Sequence, residues 1–315
     1  MMFKVAGYHV SGNKSSWKSI KKNHVYLNKV LPMWLEADGN CNLVKNYPQE
    51  EIKKICNIID ENCITPVLSN FLMNSGESNK LVNNPVEWPF LMEKAIDFLN
   101  NFGFKGLNLD LEGVKKRNKK EYLNFVKFFS SCLLNNGISP ELSIPAKVGE
   151  NGSAWSGAYD YSVLGKITDS IIIMAYDYHW VNGPPGSISP YYWIRDVVDF
   201  AIMNISPDKL FIALPFYGYD WAVETDESAR GLSYSQVMSI KEKYNSCVEW
   251  DQKARSPYFV YNKKGIEHEV WFENVKSLGI KIELIKEYDL PGVVFWRMGL
   301  EPSDIWDVID GSEKN

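Results

Sequence analysis

Hydrophobic and polar positions along this 315-residue chain repeat with two alternating periods. Short runs rich in β-branched and aromatic residues fall at 3–9, 29–36, 64–70, 106–112, 142–146, 170–177, 210–217 and 292–298. Between them, longer segments repeat their apolar residues at helical spacing. Ile52, Ile55, Cys56 and Ile59 form one such stripe, and Tyr122, Phe125, Phe129 and Leu133 form another. Gly103 and Gly137 follow two of the helical stretches, where a glycine commonly ends a helix. Most of the strand runs are too apolar for a sheet wetted on one face, as expected of parallel strands covered on both. Eight runs of this kind, alternating with helices, predict an α/β chain folded as a closed (β/α)8 TIM barrel.

One interval breaks the rhythm. Roughly seventy residues separate the seventh and eighth strand runs, more than one βα unit uses. Within it, 247–251, 258–261 and 267–272 read as strands, the last two joined by the hairpin sequence Asn262-Lys263-Lys264-Gly265. Residues 222–272 are therefore expected to form a small α+β insertion between strand 7 and helix 8, with a helix at about 274–288 resuming the barrel. No internal repeat, low-complexity tract or linker interrupts the chain, so 1–315 reads as a single domain carrying that insertion.

Composition narrows the chemistry. A hydrophobic fraction of 45% supports a large core, and a net charge of −5 with no basic stripe argues against nucleic acid as a partner. The pairs Lys21-Lys22, Lys119-Lys120 and Lys263-Lys264 read as solvated surface. Cys41, Cys56, Cys63, Cys132 and Cys247 lack metal-ligand spacing and read as reduced thiols. His9, His24, His179 and His268 form no pair at helical spacing, so neither a metal site nor another cofactor is expected. No stretch approaches the ~20 apolar residues of a membrane helix, and residues 1–9 have no export-signal pattern. A monomer without membrane insertion is expected.

The most informative segment is Gly106-Leu107-Asn108-Leu109-Asp110-Leu111-Glu112. Strict alternation puts the three leucines on one face and Asn108, Asp110 and Glu112 on the other. In a parallel barrel the outer face packs on helices, so the polar triplet lines the interior. Desolvating such groups is costly unless they serve chemistry or satisfy each other. The acids also stand at the C-terminal end of the strand, where barrel active sites lie. An edge strand with its polar face in water is the competing reading.

Here the chain resembles glycoside hydrolase family 18, the chitinases and related N-acetylglucosaminidases. Their fourth-strand motif, Asp-x-x-Asp-x-Asp-x-Glu, appears as Lys105-Gly106-Leu107-Asn108-Leu109-Asp110-Leu111-Glu112. Met174-Ala175-Tyr176-Asp177 is similar to the sixth-strand motif Met-x-Tyr-Asp. Leu214-Pro215-Phe216-Tyr217-Gly218, Gly292-Val293-Val294-Phe295-Trp296-Arg297 and Gly7-Tyr8 extend the match to strands seven, eight and one. Thr65-Pro66-Val67-Leu68-Ser69-Asn70, His179-Trp180, Pro184-Pro185-Gly186 and Asp304-Ile305-Trp306-Asp307 resemble the bacterial spore-associated branch of that family. Members of that branch often carry LysM modules; none is expected ahead of a barrel starting at residue 3. The resemblance implies a cytoplasmic or spore-associated protein, or one released by lysis.

The same resemblance implies the roles. Glu112 is the acid–base residue, protonated with help from a desolvated site and the Asp110 charge. Asp110 holds the substrate's acetamido N–H, Tyr176 donates to its oxygen, and Asp177 positions the sugar and tunes Glu112. The acetamido group itself attacks, giving net retention. Trp296 forms the floor beneath the reacting sugar, while Trp34, Trp180 and Trp221 are candidates for stacking on flanking sugars. Tyr8 and Tyr217 point toward the site by motif position. Trp17, Trp88, Trp193, Trp250, Trp271 and Trp306 are expected to pack helices or the insertion. Two positions depart from the motif: Lys105 and Asn108 stand where aspartates are common. Asn108 cannot repel Asp110, so Asp110 is expected to ionise more easily. The expected activity is hydrolysis of β-linked N-acetylglucosamine in an amino-sugar polysaccharide or oligosaccharide, with peptidoglycan or spore cortex preferred. A chitinase, an endo-β-N-acetylglucosaminidase and a carbohydrate-binding lectin remain alternatives.

Overall fold

The computed structural model describes residues 3–311 except 46 and 226, so the ends of the 1–315 domain reading lie outside the described residues. The chain opens with β1 (Lys4–Val10), β2 (Lys29–Met33) and β3 (Leu35–Ala37), and β4 (Leu43–Lys45) lies antiparallel on β3. Next come β5 (Val67–Asn70), β6 (Gly106–Asp110), β7 (Ser139–Pro145), β8 (Ser170–Met174) and β9 (Leu210–Pro215). A second, wholly antiparallel sheet holds β10 (Tyr217–Ala222), β11 (Arg230–Ser233), β12 (Glu249–Asp251), β13 (Ser256–Lys263) and β14 (Ile266–Trp271), and β15 (Gly292–Trp296) returns to the first.

The first sheet closes on itself. β2 and β3 are one strand broken at Trp34; β2 pairs with β1 and β3 pairs with β5. Parallel pairing continues through β6, β7, β8, β9 and β15 back to β1. The result is a (β/α)8 barrel.

Alternation along the strands separates two cores. Val5, Val30, Leu68, Leu107, Leu109, Ile171, Ile173, Ile212, Leu214, Val293 and Phe295 point outward into the large core shared with the helices. The residues between them, Ala6, Tyr8, Leu31, Val67, Ile172, Ala213 and Val294, meet inside the barrel, where Tyr176 and Trp296 pack against them. The expected helical stripe Tyr122, Phe125, Phe129 and Leu133 is buried on the helix Lys119–Leu134. Gly103 caps the helix Trp88–Phe102 at φ +77°, a conformation that a side chain disfavours.

Several strand boundaries differ from the sequence reading, and the differences matter for the site. β6 stops at Asp110 and β8 at Met174, so Glu112, Tyr176 and Asp177 stand in the loops just beyond the strands. The seventh run, 210–217, is cut after Pro215, and Tyr217 already belongs to β10 of the second sheet. One face of that sheet turns to the barrel mouth, where Tyr217 and Trp221 pack with Tyr176 and Trp296. Its other face covers the helix Tyr234–Lys243 through Leu232, Val237, Phe259 and Val270. A buried ion pair, Lys281 with Glu273, ties this sheet to the helix Val275–Glu287; Lys281 also reaches Ser256 of β13 at 3.4 Å. Ser256 in turn bonds Ser187 in the loop after β8, at 2.7 Å. Among the described residues, no helix is long and apolar enough to cross a membrane.

Candidate active site

β6 delivers its polar face to the barrel interior as alternation requires. Leu107 and Leu109 are fully buried on the outside, while Asn108 and Asp110 are buried on the inside. Past the strand end, four neighbours fix the backbone that carries Glu112. The Glu112 N–H donates to Asn70 Oδ1 at 2.9 Å, and Ser78 Oγ donates to the Glu112 carbonyl at 2.6 Å. Tyr159 donates to the Leu111 carbonyl at 2.7 Å, and Asn79 Nδ2 to the Gly113 carbonyl at 2.9 Å. Gly113 sits at φ +69°, and a Cβ there would stand 2.4 Å from Ser75 Cβ, so the chain turns where only glycine fits. Sequence reasoning missed these supports, because each comes from a distant segment.

The electrostatics follow from burial. Asp110 is 3% exposed, and its Oδ1 has no hydrogen-bond partner among the described residues. Burial, then the Glu112 carboxylate, pushes its pKa well above the usual carboxylate range. Asn108 in place of an aspartate spares Asp110 one like charge, yet burial still holds its pKa high. Asn108 Oδ1 accepts from Ser143 Oγ at 2.7 Å, and Ser143 meets the Tyr8 hydroxyl at 2.5 Å. Asn108 Nδ2, also buried, has no partner among the described residues. Glu112 is raised to about 7, first by burial and then by the Asp177 carboxylate. Asp177 thus helps keep Glu112 protonated, and Asp110 and Glu112 repel each other as neighbouring buried carboxylates. A carboxyl poised near neutrality suits proton transfer in both directions.

Asp177 adopts φ +58°, an uncommon conformation for a residue with a side chain. Its Oδ1 accepts hydrogen bonds from Tyr217 and, at 3.1 Å, from Tyr219, both on β10. The second sheet thus orients a carboxylate of the barrel. Although Asp177 is open to the cavity, enough protein surrounds it to raise its pKa by burial, with the two tyrosine hydroxyls pulling the other way. Tyr176 stands above its usual pKa, again through burial first, and so remains a hydrogen-bond donor at all ordinary pH.

Glu112, Tyr176 and Asp177 open into a cavity of about 830 Å³. Its far wall is the 145–156 segment after β7, and three tryptophans, Trp155, Trp180 and Trp193, line it. Trp180 is 49% exposed, in keeping with a sugar platform. Trp155, 48% exposed, was missed by the sequence reading; its signal is its place among Gly149, Gly152 and Gly157, just past a barrel strand. Trp193, expected to pack, lines the cavity beside Tyr178, with ring centroids 5.1 Å apart. Trp296 ends β15 facing the interior, with Tyr8 edge-on at 5.2 Å.

Two expected platforms are corrected. Trp34 is 0% exposed in the outer core and donates to Glu51 Oε1 at 2.9 Å. Trp221 is 3% exposed and donates to the Gly183 carbonyl at 3.0 Å. Neither offers a face to a sugar. Tyr217 and Tyr8 are buried too, and their hydroxyls bond Asp177 and Ser143 respectively. Among the described residues, no cluster of His, Cys, Asp or Glu is arranged to hold a metal ion.

Residues 79–301 match the Glycosyl hydrolases family 18. The chain belongs to that family. As a family 18 member it is a glycoside hydrolase, and it is 27% identical over 308 residues to the uncharacterized glycosylase YvbX of Bacillus subtilis, covering 96% of this chain and 89% of that one. It is 28% identical over 231 residues to the cortical fragment-lytic enzyme of B. subtilis, covering 72% of this chain but only 54% of that relative's length. The spore cortex-lytic enzyme SleL of Bacillus megaterium QM B1551 has the same fold, with a TM-score of 0.89 at 24% identity over 99% of this chain and 74% of the other. The chitinase of Chromobacterium violaceum matches equally well, with a TM-score of 0.89 at 21% identity over 99% and 100% of the two chains.

Proposed function

We propose that this family 18 member hydrolyses β-linked N-acetylglucosamine in peptidoglycan or spore-cortex glycans by a retaining, substrate-assisted route. The observation that carries the reading is a carboxyl, Glu112, raised to about 7 at the mouth of a large aromatic-lined cavity. In this reading the reacting sugar rests on Trp296 with its 2-acetamido group turned toward Asp110 and Tyr176. Glu112 gives its proton to the departing glycosidic oxygen. The acetamido oxygen attacks the anomeric carbon from the opposite face and closes an oxazolinium ring. Asp110 accepts from the acetamido N–H, Tyr176 donates to the acetamido oxygen, and Asp177 faces both the sugar and Glu112. Water, deprotonated by the Glu112 carboxylate, then opens the ring, and two inversions give net retention. The five-stranded sheet is in this reading an insertion of the barrel that serves the site through Tyr217 and Tyr219.

Kinship with the cortical fragment-lytic enzyme supports a cortex-type substrate. Because the acetamido group must be on the sugar whose bond breaks, and muramic-δ-lactam has no free acetamido group, cleavage falls after N-acetylglucosamine. Digests of purified cortex, vegetative peptidoglycan and chitin, resolved by mass spectrometry, test this. New reducing-end N-acetylglucosamine from cortex fragments is expected. New reducing-end muramic residues, or efficient cleavage of chitin oligomers alone, would defeat the substrate reading.

A further inference from the structure

The turn that follows the acid residue is strongly basic. Residues 115–120 read Lys115-Lys116-Arg117-Asn118-Lys119-Lys120, five cations in six positions on a chain whose net charge is −5. Asn79 holds this turn to the catalytic loop: its Oδ1 accepts from Lys115 N–H at 2.9 Å and Asn118 Nδ2 at 2.7 Å, and its Nδ2 donates to the Gly113 carbonyl at 2.9 Å. The Lys116 stem crosses Gly157, where a Cβ would stand 3.0 Å from Lys116 Cδ, and so lies beside the 149–156 wall of the cavity. Lys119 is paired with Asp160 at 2.8 Å. Lys115, Lys116, Arg117 and Lys120 make no ion pair among the described residues, and Lys115, Lys116 and Arg117 are exposed.

Their position works against local stability. The turn leads into the N-terminus of the helix Lys119–Leu134, where the helix dipole disfavours cations, and Glu121 is the one acid of the first turn. Helix formation therefore gives no reason for this charge. The acids lining the cavity are Glu112, Glu150 and Asp177, and none of them neutralises the turn. Lys116 stands beside the 149–156 wall, and Lys115 and Arg117 flank it in the sequence as further exposed cations without an ion pair among the described residues.

We propose that Lys115, Lys116 and Arg117 select carboxylate-bearing glycans over neutral ones by pairing with a substrate carboxylate at this rim. The inference rests on the amino-sugar hydrolase reading above and names the substrate class within it. A muramic lactyl group and a stem-peptide carboxylate are the two sources of that chemistry in peptidoglycan. Exposed pairs are individually weak and are screened by salt, so the effect is a selectivity that fades with ionic strength.

The test compares kcat/KM on three glycans of matched length: a neutral chitin oligomer, peptidoglycan strands stripped of peptide, and strands with stems intact. In low salt the wild-type ratio of carboxylate-bearing to neutral substrate should fall roughly fivefold in the triple variant Lys115→Gln, Lys116→Gln, Arg117→Gln. Raising salt on the wild type should reproduce that fall, and the charge-keeping variant Lys116→Arg, Arg117→Lys should retain the preference. Preference for stripped strands assigns the lactyl group, and preference only for intact strands assigns the stem. A ratio that is insensitive to both salt and the triple variant, while all three glycans are cleaved, overturns this proposal and leaves the hydrolase reading standing. If the wild type cleaves none of them, both readings fall.

Discussion

In the proposed role Glu112 carries a cost as well as a function. Its ionisation midpoint moves from 4.5 to about 7 on folding, so deprotonation opposes the folded state. The folded chain has its full stability below the unfolded value and loses some as pH rises through about 7. A shift of this size corresponds to on the order of 3 kcal/mol above neutrality. Replacing Glu112 by Gln is expected to lower turnover by about 10²–10⁴-fold, and to raise the melting temperature above that of the wild type by more at pH 8 than at pH 4. Near wild-type rates on an unactivated substrate would remove Glu112 from the acid role. Because the acid must be protonated, kcat/KM should decline above about pH 7. Asn108→Asp places a second carboxyl next to buried Asp110 and should move that declining limb to higher pH. Superimposable limbs would mean that Asn108 is electrically silent. The identities of these residues were legible in the alternation of 106–112. A protonated Glu112, helped by desolvation and by Asp177, was expected as well; the high pKa of Asp110 was not, because it depends on how completely the folded barrel removes water from that side chain.

Individual elements divide the aromatic residues in a way that residue type alone does not reveal. Trp34 and Trp155 are the same side chain, yet the first sits in a strand break facing the helices and the second on a glycine-rich wall of the cavity. A break such as that between β2 and β3 obscures which face a side chain takes, so Trp34 was misread as a platform. Trp155→Ala should raise KM for a long oligosaccharide about three- to tenfold with little change in melting temperature. Trp34→Ala should instead cost about 3–5 kcal/mol of stability and leave the KM of the folded protein nearly unaltered. Denaturant titration together with steady-state kinetics on both variants separates the two effects. β10 shows the same limit from the other side. Tyr217 was foreseen as a site residue, but the pairing of Tyr217 and Tyr219 on Asp177 needed the second sheet's register, set by contacts with β11 and β14.

At the scale of the whole molecule, the barrel was legible because every strand is covered on both faces and separated by an amphipathic helix. What the pattern did not reveal was how the second sheet reaches the chemistry. It leaves the barrel immediately after Pro215, leans on Trp296 and Tyr176, and is anchored behind by Lys281 and Glu273. In the proposed reading, acid, orienting tyrosines, sugar floor and aromatic wall thus come from both sheets and three loops. Within this arrangement the account assigns the attack on the anomeric carbon to the substrate's own acetamido oxygen. The most direct measurement is turnover of two matched oligosaccharides that differ only in whether the reacting sugar carries an acetamido or a free amino group. The account predicts that the acetylated glycan is cleaved and the deacetylated one is bound but left intact. Comparable rates on both would contradict it, because the protein would then be supplying the nucleophile itself.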